Sequence, residues 1–394
     1  MSTNENKPLR VAQILGKMNG GGAEQVVMNY YKAIDRTRVQ FDFFAFKSSR
    51  LVPAEEIKRM GGGLYLLCGF KNPVRYVRTL TALLRENGYG IVHCHLSTLS
   101  FLPLLAAKRA GVPVRIVHNH STSGGKRELV RNIAKALLKP LARLHATHRF
   151  ACSEYAARWM YGTAPTAELS ERGLPKKAER KTVRIMRNAI DTELFGFDGS
   201  KRSSFRGEFG VAGGTLLFGH VGRFCPQKNQ QFLIDIFKEI LSQHRNSKLI
   251  MAGTGEDMEL IRARVIAAGI ADRVIFAGQR GDVDRLYSAI DCFLLPSNYE
   301  GLPVVGVEAQ CAGLYCIFSD RVTREVKISD GAQFLSLETP PADWACAAIG
   351  CAKLRNGKAA EQVAAAGYDI AAEAEKLCGF YEDIGEKRTS PQKS

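Results

Sequence analysis

The fold turns on residues 9–34, LRVAQILGKMNGGGAEQVVMNYYKAI. LRVAQIL (9–15) is apolar and reads as a buried strand. Three consecutive glycines, Gly20 to Gly22, follow it, and AEQVVMNYYKAI (23–34) then carries apolar residues at helical spacing. The same alternation extends outward. FDFFAF (41–46) and LYLLC (64–68) read as strands, VRYVRTLTALLREN (74–87) as a basic helix, and GIVHCHL (90–96) as a strand. A helix through FLPLLAAKRA leads to the strand VRIVHNH (114–120), and RFACS (149–153) and TVRIMRNAI (182–190) read as further strands. This βαβα order predicts a parallel, doubly wound sheet.

A second series begins at TLLFGHVGR (215–223). Helices are predicted near 229–243 and 256–268, at DRLYSAI (284–290) and at VVGVEAQCAG (304–313). The strands KLIMAG (248–253), RVIFAG (273–278), CFLLP (292–296) and YCIFS (315–319) alternate with them. The sequence therefore predicts an α/β chain of two doubly wound, Rossmann-like domains facing across a cleft, with ligands at the C-terminal ends of strands. The expected divisions are 1–195, 196–365 and 366–394. The polar stretch FDGSKRSSFRGEFG (197–210) reads as the linker, and EKRTSPQKS as a frayed tail.

A length of 394 residues exceeds what one core ordinarily supports, and 45% hydrophobic with 24% charged residues is usual for a globular chain. No apolar run reaches the 18 or so residues that span a bilayer. The N-terminal MSTNENKPLR lacks the apolar core of a secretory signal, so the chain is expected in the cytosol. Ten cysteines without a CxxC pair read as reduced thiols. Charge is divided unevenly. Residues 1–190 hold 32 Lys/Arg against 12 Asp/Glu, a formal +20; residues 191–394 hold 23 against 27, a formal −4. The basic half is expected to meet an anionic partner, either nucleic acid or a phospholipid surface.

Several short stretches carry groups suited to chemistry. The loop GKMNGGGAEQ either brings backbone amides to a phosphate or sugar, or is a plain flexible connection. His93 and His95 in VHCH, and His118 and His120 in VHNH, end two strands; they are satisfied strand-end imidazoles or part of a site. Their spacing permits zinc, although no neighbouring run completes a ligand set. In GRFCPQKN (222–229), Arg223 and Lys228 are placed to neutralise a diphosphate, or form a solvated basic loop. AGTGE (252–256) and AGQRGDVD (277–284) are glycine turns that either cradle a base or reverse the chain. The Asp282–Asp284 pair is read as a helix cap in preference to a metal ligand. Finally, YEGLPVVGVEAQ (299–310) sets Glu300 in a loop and Glu308 inside a helix that begins at Leu302 or Pro303. The Gly301 and Leu302 amides between them form an anion seat. A diphosphate flanked by two hydroxyl-rich groups, the plan of a nucleotide-sugar, fits that layout.

These stretches together resemble the glycosyltransferase family 4 enzymes of the GT-B fold, particularly those of capsular and exopolysaccharide assembly. The likeness runs through GGGAEQVVMNYYKAID, IVHCHLS, VRIVHNHS, FACSEYAARWMYG, RNAID, VGRFCPQKN, LIMAGTGE, VIFAGQRGDV and LLPSNYEGLPVVGVEAQCAG. Its specific element is the pair of glutamates separated by seven residues, Glu300 and Glu308, combined with GR…QKN. One departure is Ala189 in RNAID, where many relatives carry glycine. The resemblance implies that Gly21 and Gly22 lie over the donor diphosphate and transferred sugar, and that His120 contacts the sugar near the reaction centre. It implies that Arg223 and Lys228 stabilise the leaving diphosphate in place of a metal. Glu300 would bind sugar hydroxyls, the Gly301 and Leu302 amides the distal phosphate, and Glu308 the ribose. Arg280 joins the donor-binding set and His95 the acceptor side. The implied reaction retains configuration at the anomeric carbon and moves a hexose or N-acetylhexosamine, needing no cofactor and no metal.

KRELVRNIAKALLKPLARLHATHR (126–149) places Arg131, Lys135, Lys139 and Arg143 beside an apolar stripe of Leu129, Ile133, Leu137, Leu141 and Leu144. It reads either as a membrane-surface helix or as a solvated face over a core stripe, bent or interrupted at Pro140. A polyprenyl-linked acceptor would make docking on the inner face of an anionic membrane useful. Two other readings compete: a GT-B epimerase of UDP-N-acetylglucosamine, and a basic nucleic-acid-binding protein. Against the second, the chain lacks a recognisable nucleic-acid motif and aromatics interleaved with its basic residues.

Overall fold

The computed structural model describes residues 7–120, 129–172, 174–352 and 354–386, with the side chains of 129–132 and 176 outside the description. The chain forms two compact units. One comprises the described residues up to Ala189 together with those from Ile370 onward; the other spans Ile190–Asp369.

The first unit carries β1 (Leu9–Ile14), β2 (Val39–Phe46), β3 (Leu64–Leu67), β4 (Ile91–Cys94), β5 (Val114–Asn119), β6 (His148–Ala151), β7 (Thr166–Glu168) and β8 (Val183–Ile185). They form one sheet in the order β3-β2-β1-β4-β5-β6-β8-β7, and every pairing is parallel. Parallel strands need crossovers, and the helices between them supply these while covering both faces. That is why β2 is buried along nearly its whole length instead of alternating. The C-terminal helix Ile370–Glu386 packs on this unit, with Leu377, Phe380 and Tyr381 buried.

The second unit carries β9 (Leu216–Val221), β10 (Ser247–Ala252), β11 (Val274–Gly278), β12 (Cys292–Leu295), β13 (Cys316–Ser319) and β14 (Ala332–Leu335). Their order is β11-β10-β9-β12-β13-β14, again all parallel. Phe218, Leu233, Phe237, Leu294 and Trp344 belong to its core. In both sheets the chain runs outward from a central strand in one direction and then resumes on its other side. The reversal points are β1/β4 and β9/β12, and the loops leaving those strands are where such folds place ligands.

Four local readings change. The stretch 197–210 is no linker: Gly199–Glu208 is a helix of the second unit. Asp198 caps it by accepting from the Ser200 and Lys201 amides, Phe205 is buried, and Arg202 and Arg206 reach Asp291. Its polarity reflects ion pairing rather than solvation. The helix Leu129–Leu144 runs through Pro140 without a break, losing only the bond a proline nitrogen lacks. The helix after the glutamate loop begins at Val304, with Pro303 as its N-cap. TVRIMRNAI is strand only over Val183–Ile185. The ten cysteines are all free thiols.

Candidate active site

In the second unit the loops that follow β9 and β12 are stitched together. The Asn298 amide donates to the Gln227 carbonyl (2.8 Å), and the Asn298 side chain donates to the Pro226 carbonyl (2.6 Å). Asn229, in left-handed geometry that asparagine tolerates, starts the helix Gln230–Gln243 and donates to the Pro296 carbonyl (3.2 Å). This framework brings Lys228 and Glu300 together. Lys228 Nζ donates to Glu300 Oε1 at 2.6 Å, and both side chains are largely buried. Ser297 Oγ donates to the same oxygen (3.1 Å), and Gln227 Nε2 to Oε2 (3.1 Å). Glu300 is thus held from three sides. An ion pair removed from water is stabilised only when such additional bonds complete it.

Two glycines make this approach possible. The Lys228 stem lies over Gly222, where an added Cβ would sit 3.0 Å from Cε. Gly253, at φ +132°, abuts the Gly222 carbonyl so closely that a Cβ there would sit 2.1 Å from the oxygen. The AGTGE turn therefore buttresses the Arg223 loop. His220 is buried below it, donating from Nδ1 to the Leu294 carbonyl (2.9 Å); burial pushes this imidazole down to about 4, so it is neutral.

Glu308 is buried in the helix Val304–Cys311 and accepts from the Tyr287 hydroxyl at 2.9 Å. Burial pushes its carboxyl up to about 7, while the Tyr287 hydroxyl and the Lys228 charge oppose the shift. Glu308, Lys228 and Glu300 thus share one electrostatic environment. Arg223 stands apart from it, exposed, in a pair with Glu256 (2.8 Å). Arg280 is committed elsewhere. It pairs with Asp282 and Glu208 and lies over Phe205 and Phe209. Asp282 sits at the N-cap of Val283–Ala289, but its carboxylate takes the Arg280 and Arg285 guanidiniums instead of helix amides, which corrects the capping role. Asp284 pairs with Lys201 (2.8 Å).

In the first unit Gly21 is the N-cap of Gly22–Ala33. Glu24 Oε2 accepts from the Gly20 amide (2.8 Å) and the Gly21 amide (3.0 Å), so the chain's own carboxylate occupies the seat read as anion-binding. All four strand-end histidines converge. His93 and His118 are 3.1 Å apart, nitrogen to nitrogen, and His95 and His120 2.9 Å. Burial lowers the basicity of all four, His120 down to about 3, so the cluster is uncharged. Gln13 on β1 and Tyr381 on the C-terminal helix complete it.

On the helix Leu129–Leu144 the described part of the apolar stripe faces solvent, so the core-stripe alternative is set aside there: Leu137 is 71% exposed and Leu144 63%, with Ile133 and Leu141 also exposed, while the Leu129 side chain lies outside the described residues. Lys139 lies over the Trp159 ring and donates to its carbonyl (2.5 Å), and Lys135 approaches the same ring. Arg143 donates to the Lys139 carbonyl (3.2 Å). The Arg131 side chain and residues 126–128 lie outside the described residues. No helix among the described residues is long and apolar enough to cross a membrane.

The sequence did not single out Gln227, Ser297, Tyr287, Glu24, Gln13 or Tyr381. Only Gln227 carried a signal, as the neighbour of Lys228; the others reach their partners across tertiary structure.

Comparison with known proteins gives these arrangements a context. The family model Glycosyltransferase Family 4 matches residues 20–194, and the model Glycosyl transferases group 1 matches 201–362. The glycosyltransferase EpsF of Bacillus subtilis (strain 168) is 34% identical over 388 residues, covering 96% of this chain and 97% of that protein. The Escherichia coli UDP-Gal:alpha-D-GlcNAc-diphosphoundecaprenol alpha-1,3-galactosyltransferase is 28% identical over 252 residues, covering 61% and 60%. The crystal structure of Anabaena Alr3699/HepE in complex with UDP-glucose aligns at a TM-score of 0.76 and 17% identity, over 95% of this chain and 99% of that one, and shares the GT-B fold. Sheet order, family models and full-length identity agree: the chain belongs to the family 4, group 1 glycosyltransferases.

Proposed function

We propose that the protein transfers a hexose or N-acetylhexosamine from a UDP-sugar to a lipid-linked or saccharide acceptor in capsular, exopolysaccharide or other cell-surface glycan synthesis, with retention at the anomeric carbon. The observation that carries this reading is the buried Lys228–Glu300 pair at the β9/β12 reversal, with Glu308 behind it. The names of the Escherichia coli relative and the HepE complex, one a UDP-Gal enzyme and the other bound to UDP-glucose, support a uridine donor.

In this reading Glu308 accepts the ribose hydroxyls and the amides of Gly301 and Leu302 take the distal phosphate. Lys228 and Arg223 meet the charge that grows on the leaving diphosphate, and Glu300 turns to the sugar hydroxyls as Lys228 is drawn to phosphate. Arg223 leaves Glu256 at small cost, because an exposed pair contributes about 1 kcal/mol or less. These cations make a divalent ion unnecessary. In the first unit, His120 and the Gly21–Gly22 turn recognise the sugar and His95 the acceptor; Glu24 must then release its amides. Arg280 serves the donor-binding unit through its ion pairs rather than by direct contact. The exposed stripe of Ile133, Leu137, Leu141 and Leu144, with basic neighbours, docks on an anionic membrane.

A thermal-shift panel of UDP-, GDP- and ADP-sugars tests the reading. Stabilisation by UDP-sugars alone supports it, and stabilisation confined to GDP- or ADP-sugars overturns the donor class. Epimerisation of UDP-N-acetylglucosamine without acceptor would favour the epimerase reading instead.

A further inference from the structure

The four clustered histidines of the first unit, His93, His95, His118 and His120, form two hydrogen-bonded arms that both begin at Gln13. The first runs from Gln13 Oε1 to His95 Nε2 (2.8 Å), and from His95 Nδ1 to His120 Nε2 (2.9 Å). The second runs from Gln13 Nε2 to the Tyr381 hydroxyl (3.3 Å), on to His93 Nδ1 (2.6 Å), and from His93 Nε2 to His118 Nδ1 (3.1 Å). Each arm ends on a buried nitrogen with no partner among the described residues: His120 Nδ1 and His118 Nε2.

A neutral imidazole has one N–H and one lone pair, so fixing one nitrogen fixes the other. Gln13 Oε1 only accepts; His95 Nε2 must therefore carry hydrogen and His95 Nδ1 must be bare. His120 Nε2 must then donate, which leaves His120 Nδ1 a lone pair. On the other arm, the Gln13 amide donates to the Tyr381 oxygen; among the described residues the hydroxyl's other partner is His93 Nδ1, so its hydrogen goes there and His93 Nδ1 is bare. His93 Nε2 then donates to His118 Nδ1, which leaves an N–H on His118 Nε2. The two chains of deduction end on the two nitrogens that lack partners among the described residues, one an acceptor and the other a donor.

We propose that Gln13 and Tyr381 are positioning residues that hold all four imidazoles as Nε2–H tautomers, so that His120 presents a bare Nδ1 acceptor and His118 an unfilled Nε2–H donor. That the His120 lone pair receives a substrate hydroxyl rests on the function proposed above; the tautomers do not. A metal ion is the rival use of these residues, since ligand nitrogens of His93, His95 and His118 lie within 4.8 Å of one another. A metal needs lone pairs converging at about 2.0–2.1 Å. Here the His93 and His95 rings are stacked, with centroids 4.2 Å apart and planes at 25°, and their edge nitrogens are spent on Gln13, Tyr381 and the other imidazoles.

The test is the two-bond proton–nitrogen NMR correlation of the full-length protein carrying ¹⁵N-histidine, which reads each tautomer directly. His93, His95, His118 and His120 are expected all to be Nε2–H. Tyr381→Phe should release His93 and His118 into mixed tautomers and leave His95 and His120 unchanged. Gln13→Met, close in volume, should release both arms. A flipped Gln13 amide would invert every step, so finding the four as Nδ1–H in the wild type overturns the proposal. Unchanged tautomers in a folded Gln13→Met, or stoichiometric retention of added Zn²⁺ through dialysis, does so too. If the tautomers are as stated but no nucleotide-sugar is turned over, the glycosyl-transfer reading fails and the positioning inference stands.

Discussion

Glu308 is a carboxyl group that folding has made a weak acid, and its consequences are confined to a few atoms. In the folded chain its proton is held up to about 7, whereas an unfolded glutamate gives it up near 4.5. The folded state therefore binds more protons in that window, so stability falls as pH rises from about 4.5 to about 7 and levels off above. Glu308→Gln mimics the protonated form and should remove that dependence, gaining up to about 3 kcal/mol over wild type above the window. Urea denaturation across a pH series measures it, and parallel curves for the two proteins would contradict the assignment. The same side chain is expected to matter for the nucleotide. Glu308→Ala should weaken UDP binding about tenfold or more, the loss expected for a hydrogen bond to a charged group. Calorimetry showing unchanged affinity would remove its ribose role. If Lys228 meets the leaving diphosphate as proposed, Lys228→Ala should lower turnover by about 10² to 10³ while moving affinity less, because that charge grows during bond cleavage. UDP release at saturating donor reads this.

Among the elements, the helix Gly199–Glu208 shows how ion pairing can make a polar stretch structural. Asp291, at the start of β12, accepts from Arg202 (2.6 Å), Arg206 (3.3 Å) and the Leu217 amide (2.7 Å). Arg206 itself is buried. Asp291→Ala would strand that cation, a loss of about 3–5 kcal/mol by the measure of broken buried pairs. A lowered urea midpoint with the same slope is the expected result. A wild-type midpoint would mean the pairs are incidental. The helix Leu129–Leu144 inverts the usual rule, since its apolar stripe is exposed while Lys139 folds onto Trp159. Substituting Leu137 and Leu144 by Asp should abolish flotation with phosphatidylglycerol vesicles and leave the melting temperature within a few degrees. Flotation equal to wild type would assign the stripe to another role.

For the molecule as a whole, the chain returns to its first unit at the end. Leu377, Phe380 and Tyr381 are buried there, and Arg38 clasps Glu375 and Glu382. The unit that holds β1 to β8 is completed only when residues 370–386 have been made. Charge is also a property at this scale: +20 lies in residues 1–190 and −4 in the rest, which suits one half to an anionic surface and the other to a ligand bound by a few placed cations. Because the proposed reaction relies on cations of the protein itself, transfer activity is expected to persist in EDTA. Its abolition and recovery with Mn²⁺ would overturn metal independence.

The order of strands and helices was written in the sequence, because a parallel strand buried on both faces is an unbroken apolar run and a crossover helix has its own period. The glutamate loop, Lys228 and the histidine pairs were legible for a related reason: each lies where a strand ends, and the local pattern marks strand ends. Tertiary structure alone decided which groups meet. Lys228 and Glu300 are 72 positions apart, and His93 and Tyr381 are 288 apart. It also decided that Arg280 is spent on Asp282 and Glu208, that Glu24 takes the glycine amides, and that 197–210 is a helix. Periodicity reports which side of an element is apolar; partners in ion pairs and hydrogen bonds are selected by distance in the folded chain, and a linear pattern does not contain that distance.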